Sequence, residues 1–421
     1  MSEVPFTLAV PDNQIQRLKA KLELTTLPDE LDEAAWSYGV PLADIKRLIA
    51  RWKDGYDWKT HEAAINQDLP QFTRDVEVDG FGTLNIHYVH KKSDVPSAIP
   101  LLFVHGWPGS FLEVRKVLPL LTAGGSSQPS FHVVAFSLPG YGFSEAPKKK
   151  GFRIGQFAEI GHKLMLALGY NEYVTQGGDW GTLITMRISS NYGGKNAKAW
   201  HCNTPMFPQP PHPLYQPISF LVSQLTPYTP AEKALMERGQ WFQRMGSGYV
   251  AIQSTQPQTL GYSLADSPGG LLAWIYEKLV LWTDGYPWTD DEGKFTRLAL
   301  SYGLSLTRFI AVLTWISIYW FSRAGPAASI RIYYETIQSG DFSMVNPPKV
   351  PTGYSYFPKE LGGIPRSWLR GASNVVFESD HERGGHFPAH ECPEALVDDL
   401  RKMFGKGGPA FGVVPRMNGY S

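Results

Sequence analysis

Surplus charge of either sign is missing from this chain of 421 residues, in which 39 Lys and Arg are matched by 39 Asp and Glu. Nucleic acid and other polyanions need a basic excess to bind, so none is expected as a partner. Cysteine is scarce. Cys202 and Cys392, the two present, cannot build a disulfide framework, and neither has the neighbours of a zinc site, so no metal is expected. Long apolar runs are lacking too. The most apolar stretch, Phe309 to Phe321, is too short for a bilayer and is bounded by Arg308 and Arg323. The start, Met1 to Gln14, has neither the basic nor the apolar segment of a leader peptide. No repeat or low-complexity tract stands out. These absences lead to the expectation of a soluble, cytoplasmic protein with reduced thiols. Aromatic residues are plentiful instead, with 13 Trp and 20 Tyr, which suits an apolar pocket lined by rings with polar edges.

Residues 1–72 read as a helical extension. Ile15, Leu18 and Leu22 follow Asp12 at helical spacing, and Leu42, Ile45, Leu48, Ile49 and Trp52 repeat the pattern. Alternation then predicts strands at Arg74–Val78 and Leu84–His90, turned at Asp79-Gly80. Ile99–Val104 and Phe131–Ser137 are continuous apolar runs that fit strands buried on both faces. Helices at Glu113–Leu121 and Ile160–Leu168 and a strand at Glu172–Gln176 complete a strand–helix rhythm. That rhythm predicts an α/β core with a mostly parallel sheet over residues 73–203. Residues 204–345 open proline-rich and continue as helices at Ala231–Met245, Leu271–Trp282, Gly293–Gly303 and Pro326–Gln338. They read as a helical cap. The core resumes over 346–421 with strands at Gly353–Phe357 and Asn374–Glu378 and a helix at Pro393–Phe404.

Chemistry concentrates at Gly177-Gly178-Asp179-Trp180-Gly181. Small residues flanking a central side chain make a strand-to-helix turn too sharp for larger neighbours, and hold that side chain at the sheet's carboxyl edge by a helix N-terminus. Esterases place serine there; here the residue is Asp179. An oxygen of serine attacking a saturated carbon leaves an inert ether, whereas a carboxylate leaves an ester that water can cleave. Asp179 therefore points to a substrate with an electrophilic alkyl carbon, an epoxide or an alkyl halide.

Three features support a site over a plain helix cap. His105-Gly106-Trp107-Pro108 follows a buried strand, where this architecture supplies an oxyanion-hole amide; Trp107 and Trp180 are the expected donors. Gly384-Gly385-His386 lies past the last strand, where a histidine base belongs, with His381 and His390 as local competitors. Glu360, in Phe357-Pro-Lys-Glu360, follows the strand after the cap and is the expected orienting acid. Asp380 rivals it, and Glu335 and Asp341 are weaker candidates.

Taken together the chain resembles the microsomal-type epoxide hydrolases, including soluble fungal members and the insect juvenile-hormone enzymes. The likeness runs through Trp36-Ser-Tyr-Gly39, Tyr56-Asp-Trp58, Pro70-Gln-Phe72, His105-Gly-Trp-Pro-Gly-Ser110, Leu138-Pro-Gly-Tyr-Gly-Phe-Ser144, Gly177-Gly-Asp-Trp-Gly181, Leu272-Ala-Trp-Ile275, Phe357-Pro-Lys-Glu360 and Gly385-His-Phe387. It implies an α/β-hydrolase core, no cofactor, a small apolar epoxide and water as reactants, and a homodimer. It also implies two cap tyrosines that hydrogen-bond the epoxide oxygen: Tyr249, and either Tyr333 or its neighbour Tyr334, Tyr333 being in the better register. Adjacent helical residues point about 100° apart, so one of that pair faces the site. A dehalogenase would use the same Asp–His pair, and a non-catalytic binding protein the same fold. Tyrosine hydroxyls favour a departing alkoxide over a halide.

Overall fold

The computed structural model describes residues 3–205, 210–214, 216–288, 312–341 and 347–421. Its centre is a sheet of nine strands: β1 (Val4–Phe6), β2 (Gln71–Val78), β3 (Gly82–Lys91), β4 (Ile99–Val104), β5 (Phe131–Phe136), β6 (Tyr173–Gly177), β7 (Ala197–Cys202), β8 (Thr352–Tyr356) and β9 (Val375–Asp380). The spatial order is β1-β2-β3-β5-β4-β6-β7-β8-β9. Pairing is antiparallel from β1 through β3 to β5 and parallel from β5 onward. The two apolar runs become β4 and β5, buried along their whole length because helices cover both faces.

β7 escaped the pattern reading. Its sequence, Ala-Lys-Ala-Trp-His-Cys, contains no β-branched residue. It is a strand because β6 and β8 hydrogen-bond it on both sides, and the indole of Trp200 donates to Thr185 on the helix behind at 2.9 Å.

Between β7 and β8 the described residues form helices alone. Prolines open four of them, Pro217–Leu225, Pro230–Trp241, Pro257–Asp266 and Pro268–Leu281. Proline at a first helical position lacks only an amide that would have no intrahelical partner, so the proline-rich stretch starts helices as well as loops. Gly248–Thr255 lies between the second and third of these, and Val312–Trp320 and Arg331–Gln338 come after the fourth. The helix expected at Gly293–Gly303 falls outside the described residues. Val312–Trp320, the apolar run, is a core helix: Trp315 Nε1 donates to the Pro108 carbonyl at 2.5 Å and Tyr319 Oη to the Gly109 carbonyl at 2.6 Å. It therefore clamps the loop after β4.

The N-terminal helices are Asp12–Glu23, Leu42–Asp54 and Trp58–Asp68, and one buried carboxylate of the last ties it to the segment that leads into the first. Glu62 accepts from the Val10 amide at 2.6 Å, the Trp58 indole at 2.9 Å and Lys59 Nζ at 3.0 Å. No helix among the described residues is long and apolar enough to cross a membrane.

Candidate active site

Asp179 ends the turn between β6 and the helix Trp180–Asn191, with φ 53° and ψ −127°. Such a backbone is strained for any residue with a Cβ and persists only when its surroundings enforce it. They do. A Cβ on Gly181 would lie 2.0 Å from the Val104 carbonyl oxygen, and one on Gly106 would lie 2.2 Å from Asp179 Oδ1. Both glycines let β4, its following loop and the elbow close on one another.

The aspartate is held on two sides. Trp107 N–H donates to Asp179 Oδ1 at 2.7 Å, while His386 Nε2 stands 3.5 Å from Oδ2. Trp180 begins the helix, whose first amides have no intrahelical acceptor and face an anion favourably. On the far side of the imidazole, His386 Nδ1 lies 2.6 Å from Glu360 Oε1, an oxygen that also accepts from the Leu361 amide at 2.7 Å. His386 and Glu360 are both buried. Burial alone depresses an imidazolium, but the neighbouring charge of Glu360, reinforced by Asp179, carries His386 up to about 10. His386 Nε2 has no hydrogen-bond partner among the described residues.

Tyr249 and Tyr333 come from separate helices of the insertion and meet over the aspartate, their rings 5.8 Å apart. Tyr249 stacks on Trp107 at 5.1 Å and 15°, and Tyr333 meets the edge of Trp180 at 4.7 Å and 89°. Burial, with the field of Asp179 added, holds both phenols well above their ordinary range, so both are neutral donors. Tyr333 is 3% exposed and Tyr334 is 41% exposed. The two point to opposite environments, and Tyr333 is the inward one.

The competing candidates are engaged elsewhere. His381 Nε2 is 2.6 Å from Asp399, and Asp380 pairs with Arg366. His390 is buried against Trp288 at 5.0 Å. Glu335 accepts from the Gly151 amide at 2.8 Å and Asp341 from Arg187 at 2.6 Å. Among the described residues no cluster of His, Cys, Asp and Glu is arranged to hold a metal.

These contacts belong to a chain whose residues 3–114 match the family profile described as epoxide hydrolase N terminus, and whose residues 99–260 match the alpha/beta hydrolase fold. It is 37% identical over 406 residues to a putative epoxide hydrolase of Stigmatella aurantiaca, covering 95% of this chain and 84% of that one. The chain belongs to the epoxide hydrolase family. Epoxide hydrolase 1 of Sus scrofa is 35% identical over 95% of this chain and 88% of its own. Among solved structures, the Aspergillus niger epoxide hydrolase superposes with a TM-score of 0.75 at 32% identity, covering 95% of each chain. The Bombyx mori juvenile hormone epoxide hydrolase superposes with 0.79 at 30% identity, covering 95% of this chain and 93% of that one.

Two residues of this epoxide hydrolase's site carried no sequence signal. Thr204, fully buried, accepts from the Asp179 amide at 3.1 Å and donates to Glu360 Oε2 at 3.1 Å, so one hydroxyl ties the elbow to the acid. Glu113 follows the loop after β4; burial, opposed by His386 and helped by Asp179, lifts it to about 8. A lone Thr after a strand and a Glu opening a helix are too common to stand out.

Proposed function

We propose that this epoxide hydrolase forms a covalent ester on Asp179 and releases vicinal diols. The observation that carries the reading is a strained aspartate in contact with an amide donor and an imidazole, beneath two buried neutral phenols. Asp179 attacks a ring carbon, the carbon–oxygen bond breaks, and the alkoxide takes a proton from Tyr249 or Tyr333. The field of Asp179, which helps to hold both phenols above their ordinary range, vanishes as the ester forms, so the phenol becomes a stronger acid as the alkoxide appears. The insertion spanning 204–345 acts as a cap, since it supplies both phenols to a core made of 73–203 and 346–421, braced by 1–72.

Charge bookkeeping then readies the second step. Ester formation erases the Asp179 charge that helps to hold the His386 proton, so the imidazolium gives up that proton, which restores the phenol. Neutral His386, oriented by Glu360, draws a proton from water as the water adds to the ester carbonyl. Trp107 N–H and Trp180 N–H hold the tetrahedral oxyanion. Collapse frees the diol and regenerates ionised Asp179 beside protonated His386.

A racemic panel of apolar epoxides and haloalkanes tests the reading. Diol from epoxides without halide release is expected; halide release with no diol overturns it. We further propose a homodimer, supported by an outward apolar stripe on the helix Pro217–Leu225. Ile218, Leu221, Val222 and Leu225 are 78%, 58%, 46% and 72% exposed. Sedimentation of Leu221→Glu is expected to shift dimer to monomer, and a monomeric parent protein refutes the pairing. A cytoplasmic location is supported by the unpaired thiols Cys202 and Cys392.

A further inference from the structure

Lys278 is the unusual charge of the insertion. It lies on the helix Pro268–Leu281 and is 3% exposed, although a lysine buried so deeply is rare unless it is paired. Its pairing is local: Nζ contacts the carboxylate of the adjoining Glu277. The same Nζ stands 5.0 Å from the ring centre of Tyr249 and 5.3 Å from that of Trp274. Trp274 is itself fixed, its indole donating to Gln253 at 3.0 Å. Burial pulls the ammonium down in pKa and Glu277 pulls it back.

Neither the ester chemistry nor the fold calls for a buried cation here. An apolar side chain would fill the space without desolvation cost. During ring opening, however, the negative charge leaves Asp179 and appears on the departing oxygen and the phenol that protonates it. A fixed cation against the face of that ring favours this displacement in a region that water does not screen.

We propose that Lys278 is a positioning and tuning residue for ring opening, its ammonium held by Glu277 against Tyr249 so that charge arriving on that phenol is stabilised. The inference rests on the assignment of Tyr249 as a proton donor. Lys278 touches no reacting atom. It acts on the first step, because only that step delivers charge to the phenol, and it leaves ester hydrolysis at His386 untouched. Glu277 offsets part of the same field.

The groups facing Tyr249 set how the pair is tested: Asp179, Tyr333, Glu277 and Glu360 all bear on its ionisation. Single-turnover ester formation and ester hydrolysis are measured separately, by quenched-flow mass spectrometry across pH, in the full-length chain. Lys278→Met, which keeps the length and apolar stem, is expected to slow ester formation about tenfold, less than loss of a direct oxyanion donor, and to move the alkaline limb of that step upward. Hydrolysis of the ester stays at the parent rate, which also reports that the variant is folded. Glu277→Gln, which removes the carboxylate that holds and charges the ammonium, is expected to slow ester formation too, by a smaller factor, whereas damage to packing slows ester hydrolysis as well. Lys278→Arg restores the parent profile. Parent-like ester formation in Lys278→Met, equal slowing of ester formation and ester hydrolysis, or an unmoved alkaline limb overturns the inference. Tyr249→Phe separates the two levels: if it leaves ester formation unchanged, the assignment of Tyr249 fails. If it slows ester formation while Lys278→Met does not, only the inference about Lys278 fails.

Discussion

Replacing Thr204 with valine keeps the shape of a fully buried side chain and removes its hydroxyl. The Asp179 amide then loses its acceptor and Glu360 Oε2 loses a donor, both now met at 3.1 Å. An orphaned buried amide costs about 1–3 kcal/mol and a hydrogen bond to a charged group about 1.5–3, so with local relaxation the variant should lose about 3 kcal/mol of stability. The catalytic effect is smaller. His386 is oriented through the other carboxylate oxygen, Oε1, which keeps the Leu361 amide at 2.7 Å. Ester hydrolysis should slow about tenfold, equivalent to about 1.4 kcal/mol, while Thr204→Ser, which retains the hydroxyl, keeps the parent rates. Urea unfolding gives the first quantity and the decay of a pre-formed ester gives the second. A valine variant with parent stability and parent hydrolysis would show that the hydroxyl bridge does not couple the elbow to the acid.

Gly106→Ala places a methyl 2.2 Å from Asp179 Oδ1; ester formation should fall at least a hundredfold, since misplacing a reacting group by an ångström costs about that much, with the circular dichroism spectrum unchanged. Tyr333→Phe should slow ring opening in stopped-flow traces, and Tyr334→Phe, on the exposed side, should not. His386→Gln should accumulate the ester, visible as the mass of enzyme plus substrate. The same variant tests linkage. The folded pKa of His386 is raised from 6.5 to about 10, so its stabilising effect is complete below 6.5 and is lost as pH rises through 10. Urea midpoints of the parent should drop between those values more steeply than those of His386→Gln; parallel profiles refute the shift.

Much of this architecture was legible because it depends on short-range rules. β4 and β5 are unbroken apolar runs, and the elbow needs glycines wherever a Cβ would strike β4 or its loop. The family likeness located Tyr249 and Tyr333, which chain spacing alone does not bring together. Some features were not legible. β7 is a strand because of its neighbours, and apart from Trp200 no residue in it favours that state. The helix Ile154–Ala167 starts before Ile160 because the Gln156 side chain accepts from the Arg153 amide at 2.8 Å, a cap without the usual Ser, Thr, Asp or Asn. Thr204 and Glu113 are set apart by burial beside groups far away in the sequence, and Lys278 by its burial against the Tyr249 ring, which are properties of the packed chain.

The central claim is that Asp179 itself bonds to the substrate carbon. One turnover in water enriched in oxygen-18, with enzyme in excess over epoxide, tests it most directly. The peptide carrying Asp179 should gain one heavy oxygen, because water adds to the ester carbonyl, and the first diol released should contain none. Heavy oxygen in that first diol, with an unlabelled Asp179 peptide, would mean that water attacks the epoxide directly.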